Sequence, residues 1–275
     1  MEHFNPDYLR LSIFLGAFGV LAIAEALRPR RKMEAGRMGR WFSNLSLTFF
    51  DGILVRLVLG TASYGAVRFA ADRCWGFLND VELSWPMESA IGFILLDLMI
   101  YLQHVLTHAL PFLWRFHLVH HSDLEVDVTT ALRLHPVETF IQMLYKIGLV
   151  AALGIDPWTV VIYEVASTVS TQFNHSNIKF SPSFDAKLRR IVITPDFHRV
   201  HHSMEPEETN SNFGFSLPWW DMLFGTYRPR PAVPHNVMQV GLAEYREPEE
   251  LSLPALLLMP VNPRMGAYSF GKSEE

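Results

Sequence analysis

Residues 89–110 read SAIGFILLDLMIYLQHVLTHAL, an apolar run long enough to cross a hydrocarbon core of about 30 Å as a helix. The run carries Asp97, His104 and His108, and ionisable side chains inside a span mark functional sites because they are costly in lipid. His104 and His108 lie about one helical turn apart, on the same face. This segment therefore predicts a membrane helix that presents two imidazoles to a buried site.

Four further apolar runs predict membrane helices, at residues 9–27, 45–71, 138–153 and 157–172. The second of them contains Asp51, Arg56 and Arg68, which must face protein or lie near a membrane surface. The last two are short and are separated by turn-forming residues that include Gly154 and Pro157, which predicts a helical hairpin. We expect an all-α integral membrane helical bundle with about three to four spans plus this short hairpin.

The composition agrees with a membrane protein. Of the 275 residues, 49% are hydrophobic and 19% are charged. The net charge of −5 gives no basic surface for nucleic acid, so we expect no nucleic-acid partner. Cys74 is the one cysteine, which excludes an intramolecular disulfide and cysteine-rich metal sites. Any bound metal must therefore be held by other side chains.

The loop charges predict the orientation of the bundle. Residues 28–40 contain six basic side chains against the single acid Glu34, whereas residues 72–88 contain Arg73 against four acids. The positive-inside rule then places the first loop in the cytoplasm and the second outside. The N-terminus lacks the basic region of a signal peptide, so we expect the first apolar run to be retained. The helix at 89–110 then brings its histidines, and those that follow, to the cytoplasmic face.

Ten of the twelve histidines lie in a short part of the chain, in the groups His104-x-x-x-His108, His117-x-x-His120-His121, His135, His175 and His198-x-x-His201-His202. Residues spaced by three and four share a helix face, so each multiple group aims its imidazoles in one direction. Imidazole is the commonest protein ligand of transition metals, and eight or more candidates exceed what one ion needs. The number of candidate ligands predicts two metal ions. Asp97, Glu138 and Asp196 lie close to histidines in sequence and are candidates to orient their rings, although residues in such positions are more often helix caps or ordinary polar residues.

These motifs resemble those of the fatty acid hydroxylase and sterol desaturase superfamily of membrane di-iron enzymes. The resemblance covers about 90–230 and includes the histidine groups, His135-Pro136-x-Glu138, Asn174-His175, Asn212-Phe213-Gly214 and Trp220-Asp221-x-x-Phe224-Gly225-Thr226-Tyr227. FNHSN followed by FHRVHH also looks like the alkylglycerol monooxygenase branch. We expect N-terminal transmembrane helices at 1–88, a catalytic domain at 89–230 and a tail at 231–275. The LSLPALLLM stretch of the tail would lie either on the membrane surface or packed on the domain.

The resemblance implies a helical membrane domain with a cytosolic helical cap over a dimetal site. It implies two iron ions, for which zinc would be a substitute in purified protein. The implied ligands, which are also the implied catalytic residues, are His104, His108, His117, His120, His121, His175, His198, His201 and His202. His135 is an expected tenth metal ligand. Some members of the family carry a further histidine where this chain has Thr171, so the coordination of one metal is expected to differ.

The function implied by the resemblance is hydroxylation or desaturation of a lipid with O2. The chain shows no flavin or nicotinamide fingerprint, so the electrons would come from a ferredoxin or a small cytochrome with its reductase. That donor would dock near Lys187, Arg189 and Arg190, unless these residues contact anionic lipid headgroups instead. We expect the protein in a bacterial inner membrane with its site facing the cytoplasm. A histidine-rich metal transporter and a zinc-dependent lipid hydrolase are alternatives, and sterol, fatty acyl and ether lipid substrates remain open.

Overall fold

The computed structural model describes residues 6–34, 36–58, 72–73 and 75–266, and these residues form helices and no strands. Single β-bridges join Pro29 to Ile178 and Ser203 to Val240. The helices are α1 (Pro6–Leu27), α2 (Arg37–Val58), α3 (Trp85–Ala109), α4 (Pro111–His121), α5 (Pro136–Leu153), α6 (Pro157–His175), α7 (Pro182–Leu188), α8 (Pro195–His201), α9 (Pro206–Thr209), α10 (Trp219–Phe224) and α11 (Leu253–Leu258).

Proline in the first turn begins each of the helices from α3 to α9. This position suits proline because the missing N–H would have no partner inside the helix. Several of these helices are also capped by a side chain. Asp156 accepts hydrogen bonds from the backbone N–H groups of Trp158 and Thr159, and Thr194 accepts one from that of Phe197. The proline positions thus fix where the chain turns between histidine-bearing segments.

Three of the described helices, α1, α3 and α5, are long and apolar enough to cross a membrane. The predictions of helices at 9–27 and 89–110 are confirmed. The predicted hairpin is also present, since Gly154 ends α5 in the left-handed conformation with φ of 70° and α6 begins at Pro157. Its first arm, α5, is long and apolar enough for a full crossing. The predicted run at 45–71 is helical as far as Val58, and residues 59–71, with Arg68, lie outside the described residues, as does Cys74.

Two apolar clusters hold the bundle together. One joins α3 to the α5–α6 hairpin through residues such as Leu96, Val150 and Tyr163. The other packs Leu118 of α4 against Leu256 of α11. The LSLPALLLM stretch is therefore packed on the helical domain through Leu256, while Leu258 in the same helix is 65% exposed. In addition to these two clusters, α1 packs along α6.

Candidate metal centre

Nine of the ten predicted histidines meet at the ends of α3, α4, α6 and α8, all of them buried. They form two adjoining groups in which one nitrogen of each ring lies within 4.8 Å of the others in its group. The five-histidine group consists of His104, His108, His117, His121 and His201. The four-histidine group consists of His120, His175, His198 and His202. His120 and its neighbour His121 belong to different groups, and so do His201 and its neighbour His202. The two groups therefore lie side by side.

The four-histidine group converges on His175. Its Nε2 lies 3.1 Å from the Nε2 atoms of His120, His198 and His202. Its Nδ1 lies 2.7 Å from the carbonyl oxygen of Thr171. A carbonyl only accepts, so Nδ1 carries the proton and Nε2 keeps a single lone pair. One lone pair cannot accept hydrogen bonds from three rings, but a cation at the centre would satisfy all four nitrogens.

In the five-histidine group, two of the Nδ1 atoms likewise donate to main-chain carbonyls. The Nδ1 atom of His104 donates to the carbonyl of Phe213 at 2.7 Å, and that of His201 donates to the carbonyl of Ser211 at 2.8 Å. The Nε2 atoms of His104 and His117 are 3.1 Å apart. Those of His108, His121 and His201 are buried and have no hydrogen-bond partner among the described residues. Buried polar atoms are normally satisfied, so this set of inward lone pairs indicates a site for a cation.

Glu138 orients one of these rings. Its Oε1 lies 2.6 Å from Nδ1 of His117 and also accepts a hydrogen bond from Gln142 Nε2 at 2.9 Å. Carboxylates behind a ligating imidazole fix its tautomer and raise its basicity. Asp97 and Asp196, the other two candidates, have different partners. Asp97 accepts from the indole N–H of Trp220 at 2.8 Å, and Asp196 pairs with Arg30 and Arg199.

His135 lies outside both groups. It caps the N-terminus of α5, where its Nδ1 accepts a hydrogen bond from the backbone N–H of Val137 at 3.2 Å. Its Nε2 lies 3.2 Å from the carbonyl of Leu257. Both ring nitrogens are thus engaged by main-chain atoms. The structure does not bring His135 to the centre, and we assign it a capping position in place of the expected ligand position.

Burial shifts the histidines toward the neutral form that binds metal. Desolvation, followed by the coulombic effect of neighbouring imidazoles, holds the pKa of His121, His198 and His202 well below its ordinary value. Burial lowers the pKa of His201 to about 3 despite the opposing hydrogen bond to Ser211. The rings therefore offer lone pairs, not positive charges, at neutral pH.

The donor set fits two transition-metal ions. Two nitrogens bound about 2.1 Å from one ion, at a right angle to each other, are separated by about 3.0 Å. This separation matches the 3.1 Å between Nε2 atoms in both groups. Imidazole suits iron, zinc, copper and nickel, so the ligand type by itself leaves the metal open.

The Asn212-Phe213-Gly214 and Trp220-Asp221 motifs position the carbonyl that faces His104. Asp221 accepts hydrogen bonds from the backbone N–H groups of Phe213 and Gly214, both at 2.8 Å. A Cβ at Gly214 would lie 2.8 Å from Asp221 Oδ2, so only glycine allows this close approach. Asn212 adopts a positive φ of 55° and donates to the carbonyls of Phe197 and Arg228. These contacts explain in physical terms why the motifs accompany the histidines.

A buried polar network beside the centre was not predicted from the sequence. Arg40 at the start of α2 binds both Asp123 oxygens, at 2.6 and 2.9 Å, and Asp127 at 3.0 Å. Burial acts to raise the pKa of Asp123, but Arg40 outweighs it and the pKa falls to about 2. Arg133 donates to the carbonyl of Val119 and is fully buried. The available signal was weak, namely that Asp123 follows the second histidine group by two residues.

A cavity of about 1210 Å³ reaches the centre at His104. It runs between α1, α3, α5 and α6, and its inner end is lined by polar side chains such as Gln103, Thr107 and Gln172. Farther from the histidines, aliphatic residues such as Ile147 and Val161 line the wall. Cavities with a largely apolar wall and a few convergent polar groups are the usual form of small-molecule sites. The cavity therefore borders the five-histidine group at His104.

Fold and site together define an all-helical membrane protein with a buried histidine cluster suited to metal binding. The chain belongs to the fatty acid hydroxylase family, whose pattern matches residues 89–226. The ornithine lipid hydroxylase of Rhizobium tropici is 31% identical over 233 residues, which cover 80% of this chain and 68% of the relative. No solved structure matches the chain significantly.

Two other kinds of relative match shorter stretches. Alkylglycerol monooxygenase of Danio rerio is 30% identical over 159 residues, 56% of this chain and 34% of the relative. Cholesterol 25-hydroxylase of Rattus norvegicus is 28% identical over 143 residues, 51% of this chain and 47% of the relative. The chain thus spans a third to a half of the length of these relatives. By their names, all three kinds of relative are lipid oxidoreductases.

Proposed function

We propose that this protein is a membrane-bound di-iron hydroxylase of a lipid that binds in the cavity beside His104. The observation that carries the proposal is the convergence of nine buried imidazoles whose Nε2 lone pairs face two common centres. Family membership and the hydroxylase and monooxygenase relatives support the reaction class. The expected ligands are the nine residues of the two groups.

The proposed reaction replaces a lipid C–H bond by C–O–H. One oxygen atom of O2 enters the lipid and the other leaves as water, while an external donor supplies two electrons and the medium supplies two protons. Two bound iron ions would supply the activation of O2 that this oxidation requires. A ferredoxin or a small cytochrome with its reductase is the proposed donor. Lys187 and Arg190 remain the proposed docking region, whereas Arg189 nearby is paired with Asp185.

The residues of the chain contribute orientation and shelter. Glu138 and the carbonyls of Thr171, Ser211 and Phe213 each accept the Nδ1 proton of one ring, which fixes the direction of its Nε2 lone pair. The cavity wall beside His104 holds the substrate carbon near the centre and excludes bulk water. Fixing these geometries before the reaction is the main contribution a protein makes to such chemistry.

We also propose that the centre faces the cytoplasm of a bacterium, at its inner membrane. The basic loop at 28–40 supports this orientation because it packs against the histidine segments. The backbone N–H of Arg30 donates to the carbonyl of Asn177, and the Arg30 side chain pairs with Asp196. The loop that the positive-inside rule places in the cytoplasm is therefore on the same side as the centre.

Lipid analysis under labelled O2 tests the proposed reaction. Cells that express the full-length protein are grown under ¹⁸O₂, and their lipids are compared with those of cells that express His120→Ala. We expect lipids with one labelled oxygen in the first strain and none in the second. His235→Asn, a histidine outside both groups, serves as the control and should keep the product. Identical lipids in wild type and His120→Ala, or a product that lacks only two hydrogens, would overturn the hydroxylation proposal.

A further inference from the structure

The cavity contains charged side chains far from the histidines. Its wall includes Asp7 and Arg10 of α1, Lys146 of α5 and Glu164 of α6, which we call the charged cluster. Helices α1 and α5 are both candidate membrane spans. Ionisable groups within spans are costly, and they occur where they pair or where they serve a pathway or binding site. The proposed reaction at the histidine groups does not use these four residues.

Glu164 is the centre of the charged cluster. Its Oε1 lies 2.5 Å from Lys146 Nζ, and its Oε2 lies 2.7 Å from Arg10 Nη2. Arg10 Nη1 in turn pairs with Asp7 at 2.9 Å. Lys146 and Glu164 are each 22% exposed, while Asp7 is 79% exposed. The cluster therefore extends from the open end of the cavity into its interior.

The charged cluster has unused capacity for a ligand. An ammonium group has three N–H donors, and the contact with Glu164 occupies one donor of Lys146. The Nε atom of Arg10 is buried and has no hydrogen-bond partner among the described residues. Carboxylate oxygens have about four lone-pair sites, so Glu164 can accept further donors. Both an acidic and a cationic group of a ligand would find partners here.

Charged groups of both signs line the cavity. Lys146 and Arg10 can bind an acidic group of a ligand, Glu164 and Asp7 can bind a cationic group, and Asp72 adds a third acid to the wall. A zwitterionic head group, with an ammonium and an acidic group, can therefore pair each of its charges with a cluster residue. An anionic head group without a cation would add to the excess of acids in the wall.

The position of the charged cluster determines which part of such a lipid reaches the metal centre. Glu164 precedes His175 by eleven residues in α6, which corresponds to about 16 Å along the helix axis. The cavity joins the two places, since its wall includes both Glu164 and His104. A head group at the cluster therefore directs the hydrocarbon chain, and not the head group, toward the histidines.

We propose that the charged cluster is a head-group subsite for a zwitterionic lipid, and that the lipid is oxidised on its hydrocarbon chain. The proposal rests on the proposed function for the oxidation, but the binding of the head group does not depend on it. An amide-linked aminoacyl lipid and phosphatidylethanolamine share the required chemistry. The name of the ornithine lipid hydroxylase relative agrees with the first of these sources.

Binding to the purified full-length protein in detergent tests the subsite. The probes are an N-acyl ornithine lipid, phosphatidylethanolamine and phosphatidylglycerol with matched acyl chains, measured without reductant. We expect at least one zwitterionic probe to bind roughly tenfold more tightly than the anionic phosphatidylglycerol, the effect of one charge-assisted contact. Whichever of the two zwitterionic probes binds identifies the source. Equal binding of all three probes, or a preference for phosphatidylglycerol, would overturn the proposal.

A double variant separates recognition from a purely structural role. Lys146→Met with Glu164→Met removes one charge of each sign and leaves Arg10 paired with Asp7. Apolar replacement of a partly buried ion pair often preserves folding, which thermal unfolding would verify. We expect the roughly tenfold preference for the zwitterionic probe to disappear. The matched control replaces the exposed pair Arg264 and Glu250 by methionine and should retain the preference. A double variant that folds and keeps the preference contradicts the subsite.

The site of oxidation is a separate readout. The labelled lipid product from the wild-type protein is fragmented, and we expect the ¹⁸O atom in the acyl-chain fragment. Label in the head-group fragment would overturn the proposed orientation. If the wild-type protein binds the zwitterionic probe but forms no labelled product, the proposed function fails and the subsite stands. If labelled product forms equally in the Lys146→Met, Glu164→Met variant, the subsite fails and the proposed function stands.

Discussion

Single side chains decide which histidines can bind metal. His117 and His135 were both expected ligands, but His117 has a carboxylate behind its Nδ1 and an Nε2 that faces the five-histidine group, whereas both ring nitrogens of His135 are engaged by main-chain atoms. The spacing of the histidines could not distinguish them, because spacing shows which residues share a helix face but not which atoms contact each ring nitrogen. The difference is visible only when the acceptors of each ring nitrogen are known.

Substitution of His135 should change stability and leave the metal content unaltered. His135→Ala removes the acceptor for the backbone N–H of Val137, and the loss of such a cap costs about 1 kcal/mol of unfolding free energy. His135→Asn restores a capping side chain and should recover most of this loss. Thermal unfolding and elemental analysis of both variants check the expectation. Loss of one metal ion in His135→Asn would show that His135 is a ligand after all.

Substitution of Glu138 should weaken metal binding. Glu138→Leu removes the acceptor for Nδ1 of His117, so the ring can adopt the other tautomer or rotate. Loss of such an orienting carboxylate typically weakens metal affinity about 10- to 100-fold. Competition with a chelator measures this affinity, with Glu82→Leu at an exposed position as the control. An unchanged affinity in Glu138→Leu would remove the orienting role assigned to the carboxylate.

At the scale of helices and loops, the sequence was informative where local chemistry sets the structure. Apolar runs and prolines located α1, α3 and the α5–α6 hairpin. The spacing of histidines by three and four residues identified the helix faces that carry the imidazoles. The acceptors behind the rings were not predictable in the same way. Three of them are main-chain carbonyls, of Thr171, Ser211 and Phe213, and a carbonyl has no residue type of its own.

Long-range ion pairs were equally hidden from sequence patterns. Arg40 counted as one of the positive charges of the loop at 28–40, but the structure buries it against Asp123, 83 positions along the chain. Arg30 likewise pairs with Asp196. Local patterns report the sign of these charges, whereas their partners follow from the tertiary fold. The loop thus has a second role, which is to tie α1 and α2 to the histidine segments.

The Arg40 contact yields a prediction for the connection between α2 and the end of α4. Arg40→Ala leaves Asp123 and Asp127 buried beside each other without their cation, and such losses destabilise proteins by about 3–5 kcal/mol. We expect a large fall in the unfolding temperature of the detergent-solubilised protein. Arg264→Ala, at an exposed pair with Glu250, should leave the unfolding temperature nearly unchanged. Equal stability of the Arg40→Ala variant and the wild type would contradict the bracing role.

At the scale of the whole molecule, membrane helices, buried histidines and cavity form one arrangement. Helices α3, α4, α6 and α8 bring the histidines together, and α1, α3, α5 and α6 enclose the cavity that leads to them. The sequence predicted the helices and the approach of the histidines to one another. It did not predict which residues line the cavity, nor the charged cluster, since both arise from packing between segments far apart in the chain.

We propose that each of the two histidine groups holds one metal ion. The most direct test is the number of transition-metal ions per chain in the full-length protein, purified after growth with ample iron and measured by elemental mass spectrometry. We predict two ions per chain, mainly iron. A folded protein that was purified from iron-supplied cells and holds one ion or none would contradict the account.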